Sequence, residues 1–112
     1  MNDLTVRGAL DDRAYPAYTM SAAADLAGVT PAFLRGLGNH GLISPGRSSG
    51  GQRHYSRAEL DLARRVHEVT ATGVSLAAAC RIVELEGHLA AARAEIHALR
   101  EQLPTQHTRQ AV

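Results

Sequence analysis

The residues best equipped for chemistry in this 112-residue chain are its arginines. All 12 basic side chains are arginine, and lysine is absent. A guanidinium holds its charge at any physiological pH and presents a planar fork of donors, a good match for phosphate oxygens. Arg35, Arg47, Arg53 and Arg57 fall in a stretch, residues 35–57, that contains no acid. Upstream, Arg7 and Arg13 face Asp3, Asp11, Asp12 and Asp25; downstream, six arginines face seven acids. The net charge of +1 therefore conceals a +4 segment between two acidic-to-mixed flanks. Clustered positive charge of this kind is the electrostatic footprint of nucleic-acid contact.

Other chemistries find no support. No nucleophile–base pair, phosphate-cradling glycine loop or paired carboxylate stands out, so an enzyme is not expected. The single Cys80 excludes an internal disulfide and a four-cysteine zinc site. It is expected to be a small core residue, with a redox sensor as the alternative. His88 and His97 lack metal-ligand spacing, so solvated or seam-edge roles are expected, with metal binding the alternative. No metal or cofactor is implied. The chain has no apolar run of about 18 residues and no apolar signal core near Met1, so a soluble intracellular protein is expected.

The elements that must position the arginines can be read from punctuation and period. Hydrophobic residues make up 45% and aromatics 4%, with many alanines, which favours small packed helices over a sandwich. Ser21 is expected to cap a first helix with Ala23, Leu26 and Ala27 inward, ended by Gly28. Thr30 and Pro31 then start a second helix, kept short by Gly36, Gly38 and Gly41. Two short helices around a tight turn form a helix-turn-helix pattern. Leu42-Ile43-Ser44 and Arg53-His54-Tyr55 are strand-compatible, and the Pro45–Gln52 turn formers between them predict a hairpin, or wing. Ser56 and Glu59 fit a capping box for a helix running to about Thr70 with Leu62, Val66 and Val69 buried. After Gly73, Ser75 caps another helix from Leu76.

Beyond this the apolar spacing turns regular. Ile82, Leu85, Leu89, Ala92, Ile96, Leu99 and Leu103 alternate steps of three and four, the a and d positions of a heptad. Gly87 falls at f, away from the seam, and Pro104 is expected to end the helix. A self-packed amphipathic helix is the alternative, but a small winged domain offers little surface to cover seven seam positions. The expected organisation is a flexible tail over 1–17, a winged helix-turn-helix domain over 18–81, a coiled-coil dimerisation helix over 82–103 and a flexible tail over 104–112. The fold class is mainly α.

Within this frame Arg35 sits on the helix that would enter a major groove, and Thr30 adds a hydroxyl at its N-terminus. Arg47 and Arg53 flank the wing tip, and Gly51 and Gln52 belong to its turn. Tyr55 could reach a phosphate through its hydroxyl; filling the core is the alternative. The candidate DNA-binding residues are thus Thr30, Arg35, Arg47, Gly51, Gln52, Arg53 and Tyr55.

These residues carry a family resemblance. Leu26-Ala27-Gly28-Val29-Thr30-Pro31, Leu34-Arg35, Gly41 through Arg47, and the spaced set Pro45, Arg47, Gly51, Arg53 and Tyr55 resemble the MerR family of bacterial transcription regulators. Gly73-Val74-Ser75-Leu76 continues the match, which runs from Tyr18 to Glu86. Ser49 through Ser56 and Arg81 through Glu86 are most similar to the HspR heat-shock repressor type within it. The resemblance implies a recognition helix in the major groove, a wing gripping the backbone, and a C-terminal helix paired antiparallel with its twofold mate. It also implies a cytoplasmic, nucleoid-associated homodimer on double-stranded promoter DNA, repressing stress (heat-shock and chaperone) genes, with a DnaK-type chaperone as co-repressor. The chain departs from the family pattern at Phe33, Gly36-Leu37-Gly38-Asn39 and Gln52, where threonine, aromatic and acidic residues, and tyrosine are common. Altered DNA reading is expected there. The competing reading is a protein-interaction module, or a heterodimer partner with a degenerate reading helix.

Overall fold

The computed structural model describes residues 12–47 and 50–103, excluding the side chain of Arg47. The expected tail segments 1–11 and 104–112, and with them Pro104 as helix terminator, lie outside the described residues. In chain order the elements are β1 (Tyr18–Thr19), α1 (Met20–Ala27), α2 (Pro31–Asn39), β2 (Gly46–Arg47), β3 (Arg53–Tyr55), α3 (Arg57–Thr70) and α4 (Leu76–Glu101). The fold is mainly helical, as the composition predicts.

Local chemistry accounts for the helix boundaries. Thr19, rather than the expected Ser21, caps α1: its side chain accepts the Ala22 N–H. The helix therefore starts two residues early and turns Ala23, Ala24 and Ala27 inward, leaving Leu26 at 53% exposure instead of in the core. Gly28 ends it in the left-handed region at φ 72°, which a side chain would make strained. Thr30 caps α2 through the Phe33 N–H, with Pro31 at the first helical position. The α2 helix passes through Gly36 and Gly38 without breaking.

Around α3 the capping box is complete. Ser56 Oγ accepts the Glu59 N–H at 3.2 Å, and Glu59 Oε1 accepts the Ser56 N–H at 2.9 Å. The other oxygen of Glu59 takes the Ser44 N–H at 3.0 Å. This bond explains why Leu42-Ile43-Ser44 is not the expected strand. The segment spends its donor on a carboxylate and drops Ile43 into the core, and the wing strand starts later, at Gly46. On α3 the buried set is Leu60, Ala63, Val66 and Val69, with Leu62 only partly covered.

The wing is a small antiparallel sheet in the order β1-β3-β2. Gly46 pairs with His54 and Arg47 with Arg53; on the other edge Tyr18 pairs with Tyr55 and Thr19 with His54. The third strand was not anticipated, because two residues are too few to show a period. Residues 12–17, expected as the end of a tail, lie against the domain. The Arg13 carbonyl accepts the Ala58 N–H at 2.9 Å, and the Arg13 guanidinium pairs with Asp61.

The core is small and alanine-rich. Tyr55, Leu34, Leu37 and Val66 are its largest fully buried side chains. From Ser75, which caps it, α4 runs unbroken to Glu101. Ala79, Cys80 and Val83 anchor its first turns in the core. Burial pushes the Cys80 thiol up and keeps it neutral, which agrees with a packing role. Every residue from Leu85 to Leu103 is exposed.

Candidate nucleic-acid interface

Three elements converge on one groove. The start of α1 contributes Thr19, Met20 and Ser21, α2 contributes Arg35, and the wing contributes Gly51, Gln52 and Arg53. The groove has a volume of about 510 Å³. Four of the seven residues expected to touch DNA are thus brought to one place, although they span two separate elements of sequence.

Each is held by a distinct local cause. Arg35 is exposed on α2 because its neighbours Leu34 and Leu37 fix the opposite face in the core. Its Nη1 donates to Met20 Sδ at 3.4 Å, a soft contact that leaves the other guanidinium donors available. Arg53 is half-buried at the start of β3, so its stem is supported by the sheet. Gly51 lies at φ 82°, where a side chain would strain the turn that leads into β3. Gln52 is exposed beside it, and its carbonyl lies 3.3 Å from His54 Nδ1.

The other three candidates are placed differently. Thr30 is outside the groove; its Oγ1 accepts the Phe33 N–H at 3.1 Å, leaving its O–H free to donate outward at the start of α2. Arg47 pairs with Arg53 through the backbone, and its side chain lies outside the described residues. Tyr55 is a correction. It is 0% exposed, and its hydroxyl has no hydrogen-bond partner among the described residues. It fills the core under the sheet and cannot reach a phosphate. Arg57, the fourth arginine of the basic stretch, donates to the Tyr18 hydroxyl at 3.2 Å, and this contact ties it to β1.

The sequence reading missed Thr19, Met20 and Ser21. The signal was available in Thr19, a capping residue three positions before Ala22, but Ser21 offered an equally good cap. The residues that break the family pattern also have a structural account. Phe33 packs edge-on against His67 of α3, with centroids 5.6 Å apart and planes at 81°. Leu37 is fully buried, and a Cβ on Gly36 would stand 2.9 Å from Leu76 Cδ2. These positions face the protein. Gly38 meets open space, and Asn39 and Gln52 are exposed.

A helix-turn-helix with an adjoining wing and a shared basic groove defines a DNA-binding regulator. The family model described as MerR HTH family regulatory protein matches residues 18–86, more than half of the chain. The chain belongs to the MerR family of helix-turn-helix DNA-binding transcription regulators, and not to the enzymes. It is 41% identical over 76 residues to a Streptomyces coelicolor protein assigned as heat shock protein HspR, a match covering 67% of this chain and 50% of that one. The chain thus spans about half the length of that relative, which it resembles in kind. No helix among the described residues is long and apolar enough to cross a membrane, and no group of three or more potential metal ligands is found among them.

Proposed function

We propose that the chain is a dimeric, sequence-specific repressor of stress genes that acts in the cytoplasm on twofold-symmetric promoter sites. The observation that carries this reading is the length of uncovered apolar surface on α4. Ile82, Leu85, Leu89, Ile96, Leu99 and Leu103 are 38–55% exposed, and exposed Ala92 continues the same stripe. A solvent-facing helix carrying such a seam is stable when a second copy covers it. Antiparallel pairing of two arms would present two basic grooves to one duplex. Repression of heat-shock and chaperone genes, and a DnaK-type chaperone as co-repressor, follow from likeness to the HspR type.

The test has two arms. Leu89→Glu with Ile96→Glu is expected to convert dimers to monomers, read by sedimentation, and to abolish tight operator binding; a variant that stays dimeric removes the seam. Arg53→Ala is expected to weaken binding to all sequences and reduce the slope of log affinity against log salt by about one unit. An unchanged slope removes Arg53 from the phosphate contacts. Adding a DnaK-type chaperone to a gel shift with the chain's own promoter tests the co-repressor.

The interaction-module alternative rested on the glycines of α2. With Gly36 and Leu37 turned toward the protein, that segment no longer points to a lost reading surface. No shift of promoter DNA even at low salt would restore the alternative.

A further inference from the structure

Besides the core packing of Ala79, Cys80 and Val83, two specific contacts tie α4 to the helices before it. At its start, Leu76 rests on Gly36 of α2, where the missing side chain permits close approach. Three turns later, Arg65 of α3 grips Glu86 with two parallel hydrogen bonds, Nε to Oε1 at 2.9 Å and Nη2 to Oε2 at 2.7 Å. A third bond from Arg65 Nη1 to Glu68, at 3.0 Å, fixes the guanidinium from its own helix. Surface ion pairs usually stabilise little, but a bidentate pair locked by a further carboxylate has a defined geometry. Between α3 and α4 lies a groove of about 450 Å³, lined by Leu62, Val83 and Gly87 among others, and the clamp residues Arg65 and Glu86 border it.

Leverage makes small tilts matter. A helix of 26 residues is about 39 Å long. A tilt of about 5° at its base would therefore move its far end by about 3 Å, close to the rise of one base pair. We propose that the Gly36–Leu76 contact and the Arg65–Glu86 clamp together fix the angle between the reading helix and the C-terminal arm, and so set the half-site spacing that the dimer accepts. Gly36, Leu76, Arg65 and Glu86 are positioning residues here, and none of them need touch DNA. The inference rests on the dimeric DNA-binding reading above.

The experiment measures affinity for symmetric sites whose half-site spacing changes in steps of one base pair. The wild-type dimer is expected to prefer one spacing over its neighbours by about tenfold or more. Glu86→Gln and Arg65→Met, which remove the clamp from either side, are each expected to reduce that preference to less than about threefold, with dimerisation retained. Gly36→Ala is expected to weaken binding at the best spacing about tenfold, and Gly36→Ala in a Leu76→Ala background to cost less than about threefold. Spacing profiles as steep in both clamp variants as in wild type overturn the proposal, as does a Gly36→Ala cost that is unchanged when Leu76 is shortened. If wild-type protein binds no symmetric site at low salt, the DNA-binding reading fails and takes this inference with it; wild-type binding with unmoved variants sinks this inference alone.

Discussion

Tyr55 shows how a single residue can be assigned to the wrong side of a sheet. Its hydroxyl lies in the core with no partner among the described residues, which is an expense for any fold. Tyr55→Phe is therefore expected to leave stability unchanged or raise it by about 1 kcal/mol, with DNA affinity and its salt slope unaltered. Denaturant unfolding and a salt titration of binding check both halves; a clear loss of DNA affinity would return Tyr55 to the phosphate contacts. The residue's type and its place in the wing pattern were legible in the sequence, but the face it occupies depends on a register that two- and three-residue strands do not reveal. Gly36 has the opposite history. In sequence it looked like a damaged reading position, and only the approach of Leu76, forty residues away, gives it a packing role.

At the scale of elements, the helices were legible because their caps are strong. Thr30 with Pro31, Ser56 with Glu59, and Ser75 each mark a start that the structure keeps. The failures cluster where long-range contacts outweigh local preference. The Ser44 N–H goes to Glu59 instead of a ladder, and β1 exists only because β3 is there to pair with it. The α3–α4 junction is likewise invisible in sequence, and it carries a pH signature. Hydrogen bonds from Arg65 hold the Glu86 carboxyl below the usual carboxylate range. A depressed folded value means that the clamp contributes stability above the ordinary carboxylate range and loses it as pH falls through the folded value. The melting temperatures of wild type and Glu86→Gln are expected to differ near neutrality and converge in acid. A constant gap across that range would show that the clamp does not hold in solution.

For the whole molecule, the decisive property is the division between a packed body and an unsupported arm. Among the described residues nothing covers the apolar stripe from Leu85 to Leu103. Most of a helix's stability in a protein comes from tertiary packing of its apolar face, which this stretch lacks among the described residues. Helix content and melting temperature are therefore expected to rise with protein concentration, as they do when folding is linked to association. Circular dichroism across a hundredfold dilution checks this, and concentration-independent melting would mean a stable monomer. The other end of the chain has a practical bearing on dissection. The family match begins at residue 18, yet Pro16 packs about 3.3 Å from where a Gly46 side chain would begin, and Arg13 closes the first turn of α3. The minimal autonomous fragment therefore starts upstream of the recognisable motif. A protease cut between Arg13 and Tyr18 would free the Ala58 N–H and uncover Gly46 while leaving every groove residue in place.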